Sequence, residues 1–424
     1  MKKQINCMLR FKLILAFAIL AVSGCTKFAE NIGTSAAYTS TPQTLTYCTW
    51  EDEEGYAEKL ADAFEAENPG ITVNIKYISA ALTAKEISGL LDKEDIDIIG
   101  LKNINDVLYL AKNYKITKIT GHIASSGIDG SHYGNMYNDV SIDGEYYCLP
   151  TRKTSWVLAY NKDIFKKEGL NGPGQMTWDE YASLAKQLTK GSGEDKQWGG
   201  YFVNWFYDFM GIQEKNYLYD DDLTYVQKSL EFMNRIYNED KSHMAPKEME
   251  QESWLEAFES GNIAMMPQGE WFVGMILEDE KNGKTDVDWD IAPMPVLENQ
   301  KTGTTWGLYQ LASISAKCGR TDIAFEFLKF LCGEKGAELY ASNGMIPAYT
   351  DTEIQNTYRS AIGNHNADAF FHTYQIQEKP AYEGYADLED MLEKEAILYL
   401  NGKQSIEITM QNFKKAREEY YAKK

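Results

Sequence analysis

The stretch from Leu45 to Gly100 leaves the chain few folds to choose from. Leu45-Thr46-Tyr47-Cys48-Thr49-Trp50 reads as a strand. Tyr56 to Phe64 places Tyr56, Leu60, Ala63 and Phe64 on one helical face, and Asn68-Pro69-Gly70 stops that helix. Ile71 to Lys76 alternates as a half-buried strand does, and Asp97 to Gly100 is a short buried strand. The order strand, helix, strand predicts a parallel sheet with helices on its faces. Further along, Thr177 with Glu180 and Ser253 with Glu256 each form a capping box, the hydroxyl closing the helix start while the carboxylate reaches back. Gly261 suits the end of the second of these helices. Thr321 opens another, along which Ile323, Phe327 and Leu331 align. The chain shows no internal repeat and no low-complexity block.

A chain of 424 residues is too long for one ordinary hydrophobic core, so two lobes are expected. Hydrophobic residues make up 44%, which marks a globular chain. Aromatic residues reach 13%, with 28 Tyr and 9 Trp, and some of these rings are expected to face a ligand. A net charge of −21 argues against binding nucleic acid, which needs a basic face. The sequence contains no HExxH, GxSxG, P-loop or dinucleotide fingerprint. His122, His132, His243, His365 and His372 have no metal-ligand spacing. We therefore expect no catalytic residue, no metal and no cofactor.

The N-terminus has another role. Lys2, Lys3, Arg10 and Lys12 precede the apolar run Leu13 to Val22, which is too short to span a bilayer comfortably. It ends in Val22-Ser23-Gly24-Cys25, which resembles the bacterial lipobox. That resemblance implies a signal peptide over 1–24 and a lipidated Cys25, palmitate among its chains, as the mature N-terminus. Loss of the leader's four positive charges leaves −25. Residues 25–44 are small and polar and read as a flexible tether. Cys48, Cys148, Cys318 and Cys332 form no CxxC pair; they read as small buried residues whose pairing is left open.

Three blocks carry a wider resemblance. Leu149-Pro150, Tyr160-Asn161-Lys162-Asp163 and Thr177-Trp178-Asp179-Glu180 make up the first, and "WLEAFESGNIAMMPQGEW" (254–271) the second. "LASISAKCGRTDIAFEFLKFLCGEKGAELYASNGMIPAY" (311–349) makes up the third. In this order they resemble the extracellular solute-binding proteins of bacterial ABC importers, in the carbohydrate-binding group that includes maltose-binding protein. The resemblance spans roughly residues 45–350. It implies a periplasmic-binding-protein-like α/β fold, in which two α/β lobes are joined by a hinge and the ligand lies in the cleft between them. The lobes are expected at 45–152 with 306–347, and at 153–305 with 348–424. Crossings between them are expected near Arg152–Ser155, Thr302–Trp306 and Ile346–Tyr349.

A sugar offers an apolar face of C–H groups and a rim of hydroxyls, so its site needs aromatic platforms beside carboxylates, amides or Arg. Glu270-Trp271, between two glycines at a strand end, supplies both, and Gly269-Glu270-Trp271 matches the family's Gly-x-Trp. In the turn after the first strand, where relatives place polar groups, Trp50 and Glu51 are the choices among four acidic neighbours. Lys102 and Asn103 follow the buried strand; Arg152 and Thr154 sit at the first crossing. Trp205 lies in an aromatic run from which the family lends a ring to the cleft. Trp306 stands at a crossing where relatives are often glycine-rich, and Tyr382 and Tyr385 could complete the platform from the C-terminal region.

The expected protein is a monomeric receptor, attached to the membrane only by its lipid on the extracytoplasmic face. It would capture a carbohydrate, an oligosaccharide above all, and present it to an ABC permease. The alternatives are a receptor for a peptide or charged small molecule, and a surface glycosidase with paired cleft carboxylates.

Overall fold

The computed structural model describes residues 42–249, 253–371 and 373–423; the expected signal peptide, Cys25 and His372 lie outside the described residues. The strands are β1 (Gln43–Trp50), β2 (Ile71–Ile78), β3 (Ile98–Leu101), β4 (Cys148–Lys153), β5 (Trp156–Asn161), β6 (Met265–Gly269), β7 (Trp289–Ala292), β8 (Thr304–Gly307), β9 (Tyr309–Ile314) and β10 (Tyr374–Gln377). Two main sheets define two lobes. The first has the order β2-β1-β3-β9-β4, the second β6-β5-β7, and a small third sheet pairs β10 with β8.

The first lobe is built as its β-α-β pattern requires. β1 is parallel to both β2 and β3, and β9 returns antiparallel to β3 and β4. β1 begins at Gln43, two residues before the expected start. It pairs with all eight residues of β2, and the Gln43 N–H donates to the Gly70 carbonyl at 2.8 Å. The helix Glu54–Glu67 buries Tyr56, Leu60 and Phe64. Phe64 meets Phe327 of the helix Thr321–Cys332 edge to face, with centroids 4.9 Å apart.

The second lobe is an aromatic core around three short antiparallel strands. Trp156, Trp289 and Trp306 are among its largest fully enclosed side chains. Both capping boxes form, at Thr177–Glu180 and Ser253–Glu256, and Gly261 follows its helix at φ 78°. Cys48, Cys148, Cys318 and Cys332 are all free thiols. No helix among the described residues is long and apolar enough to cross a membrane.

Three chain segments join the lobes. β4 passes to β5 through Thr154 and Ser155, as expected. β8 passes to β9 through Leu308, later than the expected Thr302–Trp306. The reason is Trp306: its side chain sits at the centre of the second lobe's core, so the chain stays in that lobe until β8 is complete. The third segment runs beside β4, where Lys153 N–H donates to the Ile346 carbonyl and Ala348 N–H to the Thr151 carbonyl. The first two segments are tied together. Thr154 N–H donates to the Leu308 carbonyl at 2.9 Å, and Leu308 N–H donates to Thr154 Oγ1 at 2.7 Å. This contact leaves no room at Gly307, where a Cβ would lie 2.0 Å from the Thr154 carbonyl oxygen. Gly307→Ala must therefore spread the hinge. It is expected to cost about 1–3 kcal/mol, read as a melting temperature lowered by several degrees.

Candidate functional site

Arg152, near the end of β4, is only 6% exposed, and a guanidinium that deep needs charged partners. Its Nη2 donates to Glu53 Oε1 at 2.9 Å, and its Nη1 lies 3.8 Å from Glu270 Oε1. Nη1 also donates to Met345 Sδ, while the Tyr56 and Tyr340 rings stand 5.2 and 5.8 Å from the guanidinium carbon. Glu53 closes the turn after β1 in the first lobe, and Glu270 follows β6 in the second, so one cation holds a carboxylate from each lobe. The second oxygen of Glu53 accepts from Thr49 Oγ1. The second oxygen of Glu270 is buried without a hydrogen-bond partner. Burial drives the Glu270 carboxyl up to about 7; Arg152 pulls it down, and Glu53 pushes it up further.

The Gly-x-Trp sequence now has a steric reason. A Cβ on Gly269 would lie 2.1 Å from the Trp271 ring, so the indole folds back over the strand end only because residue 269 has none. Trp271 is half-buried and meets Trp156 edge to face at 5.5 Å. Trp156 stacks on Phe206 at 5.3 Å, and Phe206 on Trp306 at 5.2 Å. One half-buried indole therefore stands on a stack rooted in the core, beside a buried carboxylate with an unused oxygen.

The remaining predicted residues divide. Trp50 is buried at the end of β1, with Lys102 Nζ 5.7 Å from its ring centroid. Lys102 also donates to the Ala80 carbonyl. Glu51 is exposed; the short 3-10 turn Glu51–Glu53 brings its third residue inward, so Glu53 takes the place expected for Glu51. Asn103 caps the helix Ile104–Lys112, its side-chain oxygen accepting from the N–H groups of Asn105 and Asp106. Thr154 ties the hinge, as described above. Trp205 is 48% exposed over a hollow of about 460 Å³ shared with Tyr207, Glu393 and Ile397.

Two predicted residues are corrected. Trp306 is fully enclosed, with Phe206, Trp178 and Trp156 against it, because β8 turns it into the second lobe. Tyr385 is 1% exposed and donates to Asp208 Oδ2 at 3.2 Å, which holds it beneath Tyr217 and Tyr219. Tyr382 stays half-buried, and its N–H donates to Asn105 Oδ1 of the first lobe at 2.8 Å. Beside it, Lys112 pairs with Glu383 at 2.7 Å, so the lobes also touch at this end.

Glu53, Trp156 and Glu378 were not anticipated. Trp156 Nε1–H donates to Glu378 Oε2 at 3.2 Å. Burial, with Glu389 nearby, raises the Glu378 carboxyl to about 7 although Lys379 opposes it. Asp208 is likewise raised to about 7, first by burial and then by Glu389. A tryptophan immediately after a lobe crossing was the available signal for Trp156. Nothing local marks Glu378.

The family model described as "Bacterial extracellular solute-binding protein" matches residues 50–338, well over half of the chain. The chain belongs to this family. A Rhizobium etli sugar transporter crystallised in an open conformation superposes on this solute-binding protein with a TM-score of 0.78 at 25% identity, over 87% of this chain and 98% of that one. An ABC substrate-binding protein from Listeria monocytogenes, in complex with cycloalternan, also gives 0.78, at 21% identity over 90% and 99%. An arabinooligosaccharide-binding protein from Halalkalibacterium halodurans is 26% identical over 153 residues. The matched stretch covers 34% of that protein, and the match to a Brucella abortus binding protein likewise covers 34% of it. The chain thus spans about a third of the length of these curated relatives.

The raised carboxyls predict that the stability of this solute-binding protein depends on pH. Glu270, Glu378 and Asp208 bind protons more readily folded than unfolded, since about 7 lies above the ordinary carboxyl value. Their cost is fully present above about pH 7 and fades as pH falls toward the ordinary value. A gap of this size is worth on the order of 3 kcal/mol per group. The ligand-free protein is expected to melt higher at pH 5.5 than at pH 7.5. Glu270→Gln should shrink that difference; a difference equal to wild type would mean that Glu270 is ionised as easily as in water.

Proposed function

We propose that the protein is the solute receptor of an ABC importer, and that it captures a carbohydrate, an oligosaccharide, between its lobes and presents it to a membrane permease. The observation that carries this reading is the half-buried Trp271 indole, folded over Gly269 and set beside Glu270 and Arg152. An aromatic face next to a carboxylate suits a ring with apolar C–H groups and hydroxyl donors. The relatives named for, or solved with, sugars and oligosaccharides support the same class. We assign 45–153 and 308–347 to the first lobe, and 154–307 and 348–424 to the second. The receptor works without chemistry: Glu53 and Glu270 both turn to Arg152, which suits a closing contact more than the flanking of a scissile bond. It acts as a monomer, tethered through a lipid on Cys25 after loss of 1–24.

The direct test is a thermal-shift screen of the full chain in detergent against a saccharide library. A ligand at ~100 times its dissociation constant adds about 2.7 kcal/mol of stability. Trp271→Ala then separates platform from packing. As a platform, its loss weakens binding by ~2 kcal/mol or more, over tenfold, with the melting temperature little changed. As packing, it costs about 3–5 kcal/mol of stability while the folded molecules bind normally.

The anchor has its own test. Cys25→Ala should move the protein from the membrane fraction to the soluble one, because the acyl chains are the proposed attachment. Full retention in the membrane would rule out the lipid.

A further inference from the structure

Apart from Lys153, the cations around the hinge and the contact between lobes are already engaged. Arg152 is shared by Glu53 and Glu270. Lys379 pairs with Glu389 at 2.7 Å, and Lys112 with Glu383 at 2.7 Å. Lys102 donates to the Ala80 carbonyl and lies beside the Trp50 ring. Lys153, on β4 next to Arg152, is half-buried, and burial alone lowers its ammonium to about 8. Against these stand four buried carboxylates: Glu53, Glu270, Glu378 and Asp208. Three of them have hydrogen-bonding partners. Glu53 has Thr49 and Arg152, Glu378 has Trp156, and Asp208 has Tyr385. Glu270 is different: it is 1% exposed, and its Oε2 has no partner.

We infer that the cleft accepts uncharged saccharides and excludes those bearing carboxylates, and that Glu270 sets this discrimination. The inference rests on the carbohydrate reading proposed above and narrows its ligand class. A carboxylate oxygen accepts from a hydroxyl, which every neutral sugar offers. A uronate brings a like charge into a poorly screened site, where the repulsion is strong. The group that would otherwise receive it, the guanidinium fork of Arg152, is already occupied from both lobes. Specificity of this kind comes from an element that repels the wrong ligand as well as one that holds the right one.

The experiment is titration calorimetry on the full chain in detergent at about pH 8, where Glu270 is ionised. The probes are mannotriose and maltotriose, each beside the same trisaccharide with its primary alcohols oxidised to carboxylates. A neutral probe should bind, and its oxidised partner should bind at least about tenfold more weakly. Glu270→Gln should bring the two within about threefold by strengthening the oxidised form, whereas Glu270→Asp, which keeps the charge, should preserve the gap. Melting curves of both variants confirm that they are folded. Equal or tighter binding of the oxidised probe to wild type would overturn the inference, as would an unchanged gap in a folded Glu270→Gln. So would a Lys153→Met variant that loses an affinity for the oxidised probe shown by wild type, since Lys153 would then be the anion reader. Silence of these probes and of every saccharide in the library screen would defeat the carbohydrate reading itself, a result separate from binding without discrimination.

Discussion

A guanidinium cannot leave water without partners that replace its hydration, and Arg152 finds them on both sides of the hinge. Glu53 comes from the first lobe, Glu270 from the second, and the rings of Tyr56 and Tyr340 flank the cation. Desolvating three charges is costly, and their mutual attraction offsets this only while the geometry holds. Removing Arg152 leaves two buried carboxylates without their cation. The end of β6 and the turn after β1 must therefore meet β4 at one relative position. That requirement links the two sheets in addition to their covalent crossings.

The aromatic stack depends on the same junction. Trp271 lies over Gly269, the residue before Glu270, so whatever fixes Glu270 also fixes the indole. Beneath it, Trp156, Phe206 and Trp306 continue the stack into the second lobe. Stacked and edge-to-face rings move as a unit, because shifting one opens a void against the next. The Trp271 indole is half-buried and rests on enclosed side chains, and a preorganised surface of this kind would lose little entropy on meeting the saccharide proposed above.

At the other end the lobes touch through weaker contacts. The Asn105–Tyr382 hydrogen bond and the Lys112–Glu383 pair involve partly or fully exposed groups. Exposed ion pairs of this type contribute at most about 1 kcal/mol. The strong contact therefore sits at the hinge and the weak ones farther out. A hinge motion between two cores joined by three short segments would meet least resistance at that weaker end.

Much of this was legible in the sequence, and the part that was not has a common physical cause. The β-α-β order of 45–100, the capping boxes at Thr177 and Ser253, and the stop at Asn68-Pro69-Gly70 are local signals, and the chain obeys them. Gly269-Glu270-Trp271 marked the strand end where indole and carboxylate meet. What the sequence could not choose was the direction of each side chain in three dimensions. Glu51 and Glu53 are two residues apart in one acidic turn, and only the packing of that turn against β4 sends Glu53 inward. Trp306 reads as a hinge residue, yet β8 pairs with β10, 70 residues later in the chain, and that pairing turns the ring into the core. Glu378 carries no motif, and its side chain meets Trp156, 222 positions away. Local propensity and motif fix which elements form. Contacts between residues far apart in the chain fix which side chains share a site, because burial and charge pairing are properties of the assembled lobes.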